Sequence, residues 1–162
     1  TTQDSSTPHF AARSNVRVTV VNGRGVTEYW RLYDGHDVLV VPRKYGGLCL
    51  PVQEAAAAGL AVVMTDVAPN RDYPIVPVSA TARGTIETAC GRLPLYEADP
   101  SELAKVIDYL ATTPAFLQTA RETAYKWASR RSWDDLGGLY RAELLSALRA
   151  SQGEEGGRAA TG

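Results

Sequence analysis

Apolar positions fall along the chain in runs, alternations and helical stripes, and each kind predicts a different element. Val16-Arg17-Val18-Thr19-Val20-Val21 alternates and is β-branched until NGRG stops it, which predicts a strand and a turn. Val38–Val41 and Ala61–Thr65 are continuous apolar runs, the pattern of strands covered on both faces. Between them Pro51 suits a first helical position and Gly59 the residue past the end, so a helix is expected over 51–58. Strand, helix and strand in so short a span make a βαβ unit and a mostly parallel sheet. Ile75–Val78 and Leu93–Tyr96 read as shorter strands, while Ser79–Arg92 lacks a period and reads as loop with room for a helix.

Helical stripes occupy the rest. Thr27 is placed to cap a short helix over Glu28–Asp34, with Tyr29, Leu32 and Tyr33 in register and Gly35 as its stop. Asp99-Pro100-Ser101-Glu102 has the form of a capping box, before Leu103, Val106, Ile107 and Leu110 on one face. Thr113-Pro114 opens another helix, with Phe116, Leu117, Ala120, Ala124 and Trp127 in register. Ser132 opens the last, with Leu136, Leu139, Tyr140, Leu144 and Leu148 turned inward. Trp127 and Trp133 are read as packing residues. The expected organisation is a flexible lead-in over 1–14, one domain over 15–150 and a tail over 151–162 with nothing to bury. That is a three-layer α/β domain with C-terminal helices, a plan in which ligands bind outside the carboxyl ends of the strands.

Composition narrows the function. The 162 residues suit one core. A net charge of -1 offers no positive field for nucleic-acid phosphates, which disfavours nucleic acid as the main partner. Cys49 and Cys90 share no metal-ligand or disulfide spacing, which points to a reducing, cytoplasmic setting and no metal site. No apolar run has the length of a membrane span or the form of a signal peptide. The opening TTQDSSTPHF, with no initiating Met, reads as a lead-in or the cut edge of something longer.

The chemistry gathers in YGGLCLPVQE, residues 45–54, between the second predicted strand and its helix. Unpaired N–H groups and the positive end of a helix dipole face the space beyond Gly46–Leu50, which favours an anion such as phosphate. Glu54, on the first turn, is placed to accept two hydrogen bonds from a vicinal diol such as a ribose. Phosphate site and diol acceptor together describe a nucleotide. Glycine-flanked strand-to-helix turns are also common, and a surface acid facing the dipole fits position 54 as well.

A longer comparison carries the reading further. HDVLVVPRKYGGLCLPVQEAAAAGLAVVMTDVAPNRD resembles the donor-binding signature of retaining GT-B glycosyltransferases of family 4. VTEYWRLYDGHD, YEADPSELAKVIDYLATTP and RRSWDDLGGLYRAEL resemble that family's flanking helices, so the likeness runs in order over roughly 15–150. It implies a Rossmann-like domain, the C-terminal half of a GT-B fold, binding a UDP- or GDP-sugar as substrate with no cofactor. The second glutamate of the family's E-x7-E pair, which binds the ribose, corresponds to Glu54, and the first corresponds to Gly46, so that acid is lost. Gly47, Leu48, Cys49 and Leu50 correspond to the loop whose amides approach the donor phosphate and sugar, Cys49 standing for a second glycine. Arg24, Gly25 and Val26 correspond to the segment beside the nucleobase.

The resemblance also implies absences. The family's diphosphate-binding Arg and Lys, and the acceptor-binding N-terminal domain before them, lie outside the matched stretch, so that domain is expected in cis or in trans. Pro69 and Asn70 replace the glycines of the family's T-x-x-G-G-x-x-E loop. Arg43 and Lys44 match no invariant residue. Cys49 reads as a small residue in a tight turn, since no base adjoins it. His36 reads as structural or surface, Asp66 as a donor contact or a turn former, and the basic stretch Arg121–Arg131 as a solvated helix face. The expected function is sugar transfer from a nucleotide-sugar to an unknown acceptor. A GT-like module that has lost its chemistry and an α/β domain binding another small molecule are the competing readings.

Overall fold

The structure, a computed structural model, describes residues 28–45, 47–89 and 91–158. The predicted strand Val16–Val21, the cap Thr27, the segment Arg24-Gly25-Val26, Gly46 and Cys90 lie outside the described residues. The chain divides into two units, one ending at Asp34 and the other beginning at Gly35. In the first, the helix expected over Glu28–Asp34 is a single 3-10 turn, Tyr29–Leu32, with Tyr29 and Trp30 exposed. An Arg31–Glu28 ion pair lies across it.

The second unit is built on three parallel strands, β1 (Val38–Val41), β2 (Ala61–Thr65) and β3 (Ile75–Val78), in the order β1-β2-β3. Val38 pairs with Ala61 and Val62 with Ile75, so β2 is central. Every residue of β2 is buried, as its unbroken apolar run requires. β1 departs from the expectation of two covered faces: its residues are half-buried and Val40 is exposed, because β1 is an edge of the described sheet.

α1 (Leu50–Ala57) links β1 to β2 and ends as its glycine predicts. Gly59, at φ +78°, donates to the Ala56 carbonyl at 3.1 Å, and Leu60 donates to Ala55 at 2.9 Å. This paired arrangement satisfies carbonyls at the helix end, and only a residue tolerant of positive φ closes it. α1 buries Val52, Ala55 and Ala56 against β2 and α3 (Pro114–Ser129). α2 (Pro100–Thr112) packs on β3 and α3. Val63, Val78 and Leu110 form a core surrounded by Val38, Val76, Leu103, Val106, Phe116 and Leu117.

The Asp99 carboxylate caps α2, accepting from the amides of Ser101 at 2.8 Å and Glu102 at 3.3 Å. The second half of the expected box is rerouted. Glu102 accepts from Ser79 at 3.1 Å, while the Asp99 amide donates to the Ser79 carbonyl. The side chain thus ties the helix to the chain leaving β3.

The stretch read as loop, Ser79–Arg92, is instead most of an antiparallel ribbon, β4 (Ala80–Thr88) and β5 (Gly91–Ala98), with a bulge at Ala82/Gly84. Its residues from Thr81 to Pro94 are exposed wherever described, so no apolar alternation marks them. Cross-strand pairs Arg83–Glu97 and Arg92–Glu87, each at 2.6 Å, supply polar contacts instead.

α4 (Trp133–Arg158) starts where predicted, with Ser132 accepting from the Asp135 amide at 3.2 Å. Its stripe is not inward. Leu139, Tyr140, Leu144 and Leu148 are exposed, and Trp133, read as a packing residue, is 80% exposed and meets only the Tyr140 ring among the described aromatic contacts. The helix also runs past Ser151, where a tail was expected; extending an existing helix costs far less than starting one. Among the described residues, no helix is long and apolar enough to cross a membrane.

Candidate functional site

The carboxyl ends of β1 and β2 and the start of α1 meet in one place, where the described loop residues 42–45 and 47–49 lie. Cys49 is the N-cap of α1 and is 7% exposed, without a side-chain cap bond; Leu48 and Leu50 flank it at 75% and 59% exposure. No carboxylate lies in the first turn. Gly47 takes φ +142°, a conformation closed to most side chains, which explains a glycine there in physical terms. Helix α1 begins at Leu50, so Glu54 falls at the start of the second turn rather than on the first, with its side chain exposed.

The loop is held at three backbone atoms. At its start, Thr65 Oγ1 donates to the Arg43 carbonyl at 2.9 Å. The Asn70 amide nitrogen donates in turn to Thr65 Oγ1 and to the Thr65 carbonyl, each at 3.2 Å. Asn70 is wholly buried, and its Oδ1 has no hydrogen-bond partner. Next, the Tyr96 amide of β5 donates to the Lys44 carbonyl at 2.6 Å. At the far end the Cys49 amide donates to the Tyr73 hydroxyl at 3.1 Å.

Two arginines at the site make described side-chain contacts, beside the exposed Lys44 of the same loop. The Arg43 guanidinium donates to the Gly47 carbonyl at 3.2 Å and lies 5.5 Å from the Tyr45 ring centre, and it forms no ion pair among the described residues. Arg71 is paired with Asp66 at 2.6 Å; that hydrogen bond, then the Asp66 charge, raise the Arg71 pKa above its ordinary value. Asp66 therefore faces Arg71, which adds a third arrangement to the two expected for it.

The structure thus brings Gly47, Leu48, Cys49 and Leu50 together and leaves Glu54 one turn further along the same helix. Asn70, Arg71, Tyr73 and Tyr96 were not singled out as site residues from the sequence. No local motif marks Tyr73, which is 24 positions from Cys49. The Asn70-Thr65 contact had one clue, the polar Thr65 closing an otherwise apolar strand. His36 is exposed. A cavity of about 200 Å³ lies elsewhere, between β1, α2 and α3, lined by Asp37, Val38, Val40, Ile107, Leu110 and Leu117.

A parallel sheet whose strand ends present a glycine turn and a helix start defines a Rossmann-like α/β domain. The family model of the glycosyl transferases group 1 matches residues 11–127, most of the chain and all of this site, and the chain belongs to that family. Its chemistry is accordingly glycosyl transfer, which joins a sugar donor to an acceptor. No curated protein and no solved structure matches the chain.

Proposed function

We propose that the loop 43–50 and the start of α1 bind the diphosphate of a UDP- or GDP-sugar, that Glu54 takes the ribose diol, and that the sugar passes to an acceptor with retention of anomeric configuration. The observation that carries this reading is the Arg43 guanidinium, in no ion pair among the described residues, beside a helix start with no acid in its first turn and no cap bond from the Cys49 side chain, inside the segment matched to the family. A leaving diphosphate gains from such fixed positive ends because they need no reorganisation as charge develops. Arg43 then supplies part of the charge that the family draws from cations before this segment. A second domain, in cis or in trans, contributes the acceptor site and the remaining cations, so that this chain by itself binds donor without turning it over.

Titration calorimetry of the chain with UDP, GDP and ADP tests the reading. One of UDP and GDP should bind, and Glu54→Ala should weaken it by about 1.5–3 kcal/mol, the scale of hydrogen bonds to a charged group. Absence of binding by both, or an unaffected Glu54→Ala, rejects the assignment.

Gly46, which stands where the family places its first glutamate, favours a second reading: a binding or assembly module that no longer transfers sugar. Gly46→Glu in the presence of the partner domain separates the two. A large gain in transfer marks a decayed site, and a loss marks a working one.

A further inference from the structure

The far end of the glycine loop is gripped by a side chain with no place in the family motif. Tyr73 follows the 3-10 turn Asn70–Asp72, and its hydroxyl accepts the Cys49 amide at 3.1 Å. The same turn controls the near end of the loop, through Asn70, Thr65 and the Arg43 carbonyl. One short turn therefore sets both ends of the segment that faces the donor.

Tyr73 is itself held. Its ring lies against Trp127 of α3, with centroids 5.5 Å apart and a tilt of 55°. Trp127 Nε1 donates to the Asp72 carbonyl at 3.2 Å, so the indole fixes both the ring and the backbone beside it. Arg131 closes the stack, its guanidinium carbon 4.1 Å from the Trp127 ring centre, and donates to the Trp127 carbonyl at 2.9 Å. Trp127 is thus fixed by a ring contact, a hydrogen bond and a cation.

We propose that Tyr73 is a positioning residue of the sugar-donor site: backed by Trp127, its hydroxyl fixes the Cys49 amide and so sets the glycine loop for the donor diphosphate. Tyr73 acts in this way only if the loop takes a nucleotide diphosphate, as proposed above. The hydrogen bond is the one described bond that holds the loop's backbone from outside at its α1 end. Cys49 is the N-cap of α1, and a shift there moves Gly47 and Leu48 relative to the helix start. Preorganised donors lose their advantage when they must be reordered on binding.

The test compares wild type, Tyr73→Phe and Trp127→Phe by titration with UDP and GDP, and follows the Cys49 amide by NMR. In wild type one nucleotide binds. Tyr73→Phe should weaken it roughly threefold to tenfold, the scale of one lost hydrogen bond. It should also shift the Cys49 amide resonance and speed its exchange, with resonances of β2 unchanged. Trp127→Phe keeps an aromatic ring and loses the bond to Asp72, and should weaken binding in the same direction by a smaller factor; it also carries the test if Tyr73→Phe fails to fold. A wild-type chain that binds, with unchanged affinity in the variants, overturns the role of Tyr73 and leaves the donor site standing. A wild-type chain that binds neither nucleotide overturns both, whatever the Cys49 resonance does.

Discussion

Arg121 donates to the Asp37 carboxylate at 3.0 Å, joining α3 to the residue that precedes β1. Its Nε also donates to the Gly59 carbonyl at 2.8 Å, so the guanidinium ties the end of α1 into the same junction. Arg121 is half-buried and Asp37 largely exposed, which makes the carbonyl bond the stronger share. Arg121→Met should therefore lower unfolding free energy by about 1–2 kcal/mol. Asp37→Asn should cost less than about 0.5 kcal/mol, the low end for an exposed pair. Urea titration of both variants measures the difference.

Leu110 is 2% exposed and joins Val63 and Val78 in the core while also lining the cavity beside β1. Leu110→Ala should cost about 2–4 kcal/mol, within the range of large-to-small core changes. Because space already exists there, the loss should grow with the added cavity volume. Chemical denaturation reads the cost directly.

Gly47 carries φ +142°, yet an added Cβ would meet nothing within 4 Å. The obstacle to a side chain is backbone strain, not collision. Gly47→Ala should destabilise by about 1–3 kcal/mol if the loop keeps its form. If the loop relaxes, stability recovers and nucleotide affinity falls instead. Measuring Tm and affinity on the same variant separates the two responses.

The hydrogen bonds from the Ser101 and Glu102 amides hold the Asp99 carboxyl below its ordinary pKa. A lowered folded pKa contributes stability that is present above the unfolded value, about 3.9, and is lost as pH falls through the folded value. Asp99→Asn retains a capping oxygen but does not ionise. Its Tm should fall less steeply than that of wild type on the acid side of that value, as thermal unfolding against pH would show.

Leu139 and Leu144 of α4 are each 65% exposed. Leu139→Gln and Leu144→Gln should change stability by less than about 0.5 kcal/mol, as for surface positions. A loss of several times that in either variant would mean that a covering surface hides this stripe in solution.

The sequence by itself determined the elements whose instructions are local. The apolar run of β2, Pro51 and Gly59 around α1, and Asp99 ahead of α2 each act within a few residues, so spacing alone was enough. It also carried the family, through motifs that lie in order along the chain. Only the tertiary structure decided what depends on distant partners. Of the ribbon, Leu93–Tyr96 in β5 was read as strand, whereas β4 was illegible because its residues from Thr81 to Thr88 are exposed and its pairing carries polar contacts. The α4 stripe was legible as helix and misleading as core, since periodicity fixes which residues share a face and never what lies against it. At the candidate site the loop residues could be read, whereas the roles of Tyr73 and Tyr96 could not: their contacts reach loop backbone atoms far away in the chain, and no spacing rule links them, while Asn70 acts on the loop only through Thr65.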